Sequence, residues 1–272
     1  LTSVQGPSRF RQVSSTPASA CAVGDDERGY CWGWNETGQL GDGTTLASST
    51  PVLVQGDLAF RAISVGGGHA CGVTTTDLLY CWGAGFSGQL GGPAPDVCLV
   101  HTGKGAIPVP CATRPLLVAP SLRFRSVSAG VSDWYGGHTC AVALDGQGYC
   151  WGTNGLGELG QGDTTGRRTP SVVMGSISFD SISAGGAQSC GLSAGRAYCW
   201  GGFPDGAGFI AVKSPVPVGP NLTFQSVDAG GTHSCGITAT GLGYCWGQNY
   251  YGQLGIGGRT ATAVPLPVSA QQ

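Results

Sequence analysis

The sequence predicts an all-β protein: a β-propeller of five four-stranded blades, stapled by disulfides. Three observations carry that prediction. One unit recurs five times, each copy holds two Cys nine or ten residues apart, and apolar residues alternate with polar ones instead of following a helical period.

The unit is read from its Phe. "FRQVSSTPASAC" starts at Phe10, "FRAISVGGGHAC" at Phe60, "FRSVSAGVSDWYGGHTC" at Phe124, "FDSISAGGAQSC" at Phe179 and "FQSVDAGGTHSC" at Phe224, giving periods of 50, 64, 55 and 45 residues. A second Cys follows inside "YCWG", at Tyr30–Gly33, Tyr80–Gly83, Tyr149–Gly152, Tyr198–Gly201 and Tyr244–Gly247. A Gly-rich stretch comes next, and then an apolar segment led by Pro51, Pro115, Pro170, Pro215 or Pro265.

In the second unit "FRAISV", "HACGVT", "LLYCWG" and "TPVLVQ"-type segments read as four short strands with Gly clusters at the turns. Units of four strands at this spacing read as propeller blades. Pro lacks the N–H that recruits another strand, so a Pro-led fourth strand suits the outer edge. Residues 1–272 form one domain in this reading. The opening "LTSVQGPSRF" and closing "VPLPVSAQQ" both match a fourth strand, so residues 1–6 and 264–270 are expected near the ring closure, with five closed blades.

"YCWGWNETGQLGDGT" (Tyr30–Thr44) and "AGGTHSCGIT" resemble the repeats of the regulator of chromosome condensation, and the resemblance runs along essentially the whole chain. It implies a propeller with a binding role. Members often have seven blades where five are seen here, Cys pairs replace residues that are usually not Cys, and the fourth unit lacks the "GQLG" element. The family includes a nucleotide-exchange factor, a secreted β-lactamase inhibitor and receptor ectodomains, so the resemblance does not choose the partner.

The Cys spacing places each pair across a hairpin. If Cys71 faces Cys81, Val73 faces Leu79 and the loop Thr75–Asp77 remains; if Cys190 faces Cys199, the two-residue loop Ala194–Gly195 remains. Directly opposed residues at a non-hydrogen-bonded site lie within disulfide reach. The expected bridges are Cys21–Cys31, Cys71–Cys81, Cys140–Cys150, Cys190–Cys199 and Cys235–Cys245, with Cys98–Cys111 closing an insertion in the second unit. By the loop-entropy account each contributes roughly 2–3 kcal/mol. No C-x-x-C knuckle is present, so zinc is not expected. An even dozen Cys points to a periplasmic or extracellular setting.

Composition narrows the function. Net charge is −2 with only 10% charged residues and no basic stripe, which argues against nucleic acid or an anionic membrane. No apolar run approaches the roughly 20 residues of a spanning helix. Leu1, with Met174 as the single Met, reads as a processed or excerpted chain. There is no nucleophile elbow, metalloprotease helix or phosphate loop, so neither an enzyme nor a cofactor is expected. Asp25, Asp26 and Glu27 cluster in a hairpin turn, where acidic residues are common. His69, His138 and His233 occupy equivalent places, with Ser19 and Gln188 in the other two units; we read them as a repeat-encoded hydrogen bond, not a metal ring.

The aromatic residues locate a surface. The repeat uses one Phe, one Tyr and one Trp per unit for packing, and "GQLG" adds Leu40, Leu90, Leu159 and Leu254. Eight aromatics remain: Trp34, Phe86, Trp134, Tyr135, Phe203, Phe209, Tyr250 and Tyr251. All fall in first or third connections, which a four-stranded meander places on one face. The other face should carry Gly24–Gly29 and Arg61, Arg123 and Arg196. Trp and Tyr on a rigid ring suit docking of a protein, such as a subunit of an extracytoplasmic or membrane-embedded complex. Carbohydrate stacking and enzyme inhibition are the alternatives. "NET" at Asn35 and "NLT" at Asn221 are glycosylation sequons whose use the sequence leaves open.

Overall fold

The computed structural model describes residues 9–131, 137–204 and 208–269. Five antiparallel sheets follow one another along the chain, four of them simple four-stranded meanders and the second a five-stranded sheet in which one added strand lies outermost. The first blade is β1 (Phe10–Ser15), β2 (Ser19–Gly24), β3 (Gly29–Gly33) and β4 (Ser48–Leu53). The second is β5 (Phe60–Val65), β6 (His69–Thr74), β7 (Leu79–Ala84), β8 (Asp96–Thr102) and β9 (Gly105–Val118). The third is β10 (Phe124–Ala129), β11 (His138–Ala143), β12 (Gly148–Gly152) and β13 (Arg167–Val172). The fourth is β14 (Ser181–Ala184), β15 (Gln188–Ser193), β16 (Arg196–Pro204) and β17 (Phe209–Val218). The fifth is β18 (Phe224–Ala229), β19 (His233–Thr238), β20 (Gly243–Gly247) and β21 (Thr262–Pro267). The fourth strand expected at residues 1–6 lies outside the described residues.

Register follows the Cys pairs. Cys71 opposes Cys81 and Val73 opposes Leu79, while Ser193 opposes Arg196 around Ala194–Gly195. Ala194 and Gly195 both have positive φ (47° and 78°), as a tight two-residue hairpin requires. All six expected pairs are bridged, with Cα–Cα distances of 4.0 to 5.9 Å. The second unit departs from expectation. Its insertion is not a simple loop: β8 pairs with the first half of a 14-residue β9, whose second half is the blade's fourth strand. Cys98, Val100, Val109 and Cys111 form a small core of their own there.

The Gly of each "YCWG" has a structural reason. The pairing of third and fourth strands shifts between Cys and Gly in every blade. At these bulges Gly33, Gly83, Gly152, Gly201 and Gly247 take φ between 99° and 110°. A Cβ on Gly83 would lie 2.6 Å from the Gly68 carbonyl oxygen.

Packing occurs between blades. Each disulfide and its same-side neighbours form one wall, and the Phe and Trp of the next blade form the other. Cys21, Val23, Cys31 and Leu40 thus meet Phe60, Ile63 and Trp82, and the pattern repeats at the next three junctions. The Trp82 indole N–H donates to the Gln39 carbonyl (2.9 Å), that of Trp151 to Gln89 (2.9 Å) and that of Trp200 to Glu158 (2.7 Å). Each acceptor sits in the "GQLG" or "GELG" element of the preceding blade. The fourth unit lacks that element, and the Trp246 N–H is buried without a partner.

The expected His hydrogen bonds belong to the same network. His69 Nε2 meets Thr139 Oγ1 of the next blade at 2.8 Å, and that hydroxyl donates to the Gln89 carbonyl. His138 Nε2 meets Ser189 Oγ at 2.8 Å, and Ser189 donates to the Glu158 carbonyl. Since each hydroxyl spends its proton on a carbonyl, Nε2 must be the donor, and both Nδ1 atoms are left buried and unpartnered. Gln188 replaces the third His and donates to Ser234 Oγ at 2.8 Å.

The expectation of five closed blades is corrected. The four shared cores join the first blade to the second and so on to the fifth, and among the described residues none joins the fifth to the first. Trp32 and Phe10 are only half-buried, whereas Trp82, Trp151, Trp200 and Trp246 are fully covered. Among the described residues the blades therefore form an open arc, with the first and fifth at its ends.

Two predictions follow from this packing. Gly83→Ala should lower unfolding stability by about 2 kcal/mol or more, whereas Gly155→Ala, where an added Cβ meets nothing within 4 Å, should be nearly neutral; urea denaturation measures both. Burial lowers His69 to about 3, with the charge of His138 adding to the effect, and burial lowers His138 to about 4, both from 6.5. The folded values lie below the unfolded ones, so this stability is fully present above pH 6.5 and is lost as pH falls towards 4. The slope approaches two protons, about 2.7 kcal/mol per pH unit. Replacing both His by Gln, the residue of the fourth blade, should flatten that slope in denaturation curves recorded from pH 7 to 5.

Candidate docking face

The first and third connections emerge together. Thr37 in the third connection of the first blade donates to the Gly68 carbonyl in the first connection of the second (3.0 Å), and Gly67 N–H donates to Gly130 in the same turn of the third (3.3 Å). On the opposite face the second connections meet the inter-blade links, as Arg28 bridges to Ala59 and Gln147 to Ser178. The charges there are largely self-paired: Arg11 with Glu27 (3.7 Å), Arg28 with Asp57 (3.4 Å) and Arg61 with Asp77 (2.5 Å). Arg123 donates to the carbonyls of Pro120 and Leu122.

A buried Asn shapes three of the third connections. Asn35 Oδ1 accepts from Leu40 N–H at 2.9 Å, while its Nδ2 donates to the Thr44 and Leu46 carbonyls. Asn154 and Asn249 repeat this with Leu159 and Leu254. The pattern Trp-Gly-x-Asn, at Trp32–Asn35, Trp151–Asn154 and Trp246–Asn249, is its signature and was not singled out from the sequence. With its amide engaged and fully buried, Asn35 has no room for a glycan in this fold. Asn221 is exposed.

Two of these anchored loops, in the first and fifth blades, carry aromatics (Trp34, Tyr250 and Tyr251), while Phe86 follows β7 of the second blade and Phe209 opens β17 of the fourth, neither beside such an Asn. Tyr251 is 91% exposed and Tyr250 69%; Phe209 and Phe86 stand out less, at 39% and 36%. Trp34 is half-buried. Phe203 is corrected: it is 5% exposed and packs in the core between the fourth and fifth blades, because the long β16–β17 hairpin turns its ring inward. Trp134 and Tyr135 lie outside the described residues. Tyr250, Pro204, Gly208 and Thr260–Ala263 line an open cleft of about 430 Å³ between the loop ends of the last two blades. Exposed apolar residues that sequence reasoning passed over lie on the second blade's insertion: Val97 (72%), Leu99 and Ile107. Their signal was the alternation in "DVCLVHT", which buries Cys98 and Val100 and turns Val97 and Leu99 outward. Beside them His101 contacts Glu36 of the first blade at 3.2 Å, fixing the insertion over its neighbour.

Known proteins share this fold. The chain superposes on human WBSCR16 with a TM-score of 0.77, at 21% identity over 96% of this chain and 67% of that one. It superposes on Prp20p of Saccharomyces cerevisiae with a TM-score of 0.73, at 21% identity over 97% of this chain and 64% of that one. Among curated proteins, Ras guanine nucleotide exchange factor C of Dictyostelium discoideum is 35% identical over 85 residues, which is 30% of this chain and 6% of that protein. The profile of the regulator of chromosome condensation (RCC1) repeat matches residues 26–73, 145–192 and 241–272, and a second profile of that repeat matches 60–89 and 224–253. Together these matches take in more than half of the chain, which belongs to the RCC1 repeat family.

Proposed function

We propose that this chain is a non-enzymatic protein–protein interaction module that docks its partner on the face of first and third connections. The observation that carries this reading is Tyr250 and Tyr251, two exposed tyrosines on a loop whose base is pinned by the buried Asn249. A large aromatic on a pre-ordered loop loses little conformational freedom on binding, which is what an interface anchor needs. Phe86, Phe209 and Trp34 extend the surface, and Trp134 and Tyr135 are assigned to it by their connection. Prp20p offers a parallel: its structures are described with its binding to Gsp1p and histones, and with Kap60.

Six disulfides with no free Cys among the described residues suit an oxidising compartment, the periplasm or the exterior. We assign the partner accordingly to an extracytoplasmic or membrane-embedded assembly in which this chain is an accessory subunit. Irregular placement of the spare aromatics between blades favours one asymmetric protein partner over repeated sugar sites.

The test is capture from native extract under non-reducing conditions, with wild type beside Phe209→Ala/Tyr250→Ala/Tyr251→Ala. Wild type should retain a stoichiometric protein, and the folded triple variant should lose about 2 kcal/mol or more of its binding. Equal retention by both would remove the aromatic face as the site. Capture of neither, together with binding of immobilised glycans, would favour the carbohydrate reading.

A further inference from the structure

The outer edges of the blades are blunted by Pro, with one exception. Val54 donates inward to Gly29, so strand alternation turns the backbone of Pro51 outward. Val173 and Val268 donate inward in the same way, which turns Pro170, Pro265 and Pro267 outward. Pro215 and Pro217 hold the same register in the fourth blade. Each of these Pro residues removes an N–H that a further strand could use. In the second blade Pro115 serves the second half of β9, but along the first half β8 is outermost and carries no Pro.

The backbone of β8 can be assigned residue by residue. The Pro110 carbonyl accepts from Gly85 on the inner side, so Cys111, Val109 and Ile107 bond to Asp96, Cys98 and Val100 on the outer side. Val97, Leu99 and His101 then face the free edge. The His101 N–H is taken by the Glu36 carboxylate at 3.2 Å. Pro95, at the other end, has no N–H to offer. Between them the N–H groups of Val97 and Leu99 meet no acceptor among the described residues. Their side chains are exposed as well, at 72% and 58%, opposite Pro110 and Pro108 of the hairpin. An apolar edge strand with open backbone groups is a template for another strand.

We infer that this edge pairs with the same edge of a second copy, antiparallel about a two-fold axis at Cys98. Val97 then faces Leu99 of the copy, and Leu99 faces its Val97. Each pair exchanges both backbone hydrogen bonds and sets its apolar side chains together on one face. The closed ends limit the pairing to a strand as short as this one, and the copy's strand is closed at the same two residues. Charge fits too. Antiparallel pairing brings the Glu36 end of the copy to the Pro95 end, where Arg114 lines an open cleft of about 320 Å³ with Gly43, Pro95 and Thr113. Arg114 is exposed and enters no salt bridge among the described residues. Asp96 in the same cleft is held by the Thr113 N–H and hydroxyl, so the copy's Glu36 is the carboxylate available to Arg114. The contact is isologous, so it closes at a dimer.

Sedimentation equilibrium of the intact, disulfide-bonded chain from about 1 µM to about 1 mM tests the pairing. Wild type should pass from monomer to dimer within that range, as a small edge-to-edge contact requires. Leu99→Pro removes an N–H that β9 does not use, and the native disulfide pattern reports its folding. It should raise the dimer dissociation constant about tenfold or more. Leu99→Thr keeps the N–H and should weaken the dimer less; Arg114→Glu should weaken it through charge. Hydrogen exchange of wild type adds a readout that needs no variant: the Val97 and Leu99 amides should slow as the dimer forms. A wild type that stays monomeric at every concentration would overturn the proposal, and protection of those two amides only in native extract would assign the edge to a strand of another protein. Dimerisation unchanged by Leu99→Pro would place the interface elsewhere. Equal weakening by Leu99→Pro and Leu99→Thr would replace strand pairing with a contact between apolar faces.

Discussion

The junction between blades is the constraint on which the rest of the structure depends. A single four-stranded sheet of this size cannot bury both faces by itself, so each blade is stable only against its neighbours. At each junction the disulfide wall of one blade receives the Phe and Trp of the next, and the Trp N–H finds the carbonyl of the "GQLG" element. Hydrophobic burial supplies most of the attraction. The hydrogen bond selects the distance and angle at which that burial occurs, since a Trp seated elsewhere would leave its N–H dry. Trp246 shows what this geometry costs where the acceptor is missing: the side chain remains fully buried and the N–H stays orphaned.

The disulfides act on this junction indirectly. Each joins the second and third strands of one blade, and the bridge also forms part of the wall that the next blade packs against. Cys140 and Cys190 lie 3.7 and 3.3 Å from the hydroxyls of Ser189 and Ser234, the same hydroxyls that His138 and Gln188 use. Cross-linking and inter-blade hydrogen bonding thus share one layer near the inner strands. The fourth strands carry Pro51, Pro115, Pro170, Pro215 and Pro265 together with several exposed apolar side chains, among them Leu53, Val172, Val216 and Leu266.

Much of this was legible in the sequence because it is encoded locally and five times over. Hairpin register follows from Cys spacing, since the side-chain period of a strand is two and a disulfide tolerates no slip. The His69, His138 and Gln188 equivalence was visible as a repeat, although its hydroxyl partners lie 70, 51 and 46 residues away and no local pattern points to them. The β8–β9 hairpin is hard to see in the insertion because Gly103 and the Pro residues of "GAIPVPC" look like breakers, yet Gly103 lies at the turn and Pro108 and Pro110 on a stretch of β9 that pairs in a ladder along one side only. Phe203 was read as a loop aromatic for a related reason. β16 runs four residues beyond Trp200, and strand alternation then turns Phe203 inward. Ring closure was not legible, because it depends on the angle between sheets, which side-chain packing sets and no spacing reveals.

The open arc also grades stability along the chain. Blades two to four are covered on both sides, and their second strands β6, β11 and β15 are almost wholly buried. The fifth blade is covered on one side only, and alternate residues of β19 face outward. In a repeat array each interface contributes to the blades on both sides of it, so the terminal blades open first. The loop with Tyr250 and Tyr251 belongs to such a blade, yet Asn249 and Leu254 at its base are fully buried. Its anchor is thus internal to the blade and does not wait on the missing neighbour. The exposure of Tyr251 does depend on the free face of its blade, since its equivalent Thr37 is fully buried and donates to the Gly68 carbonyl of the following blade.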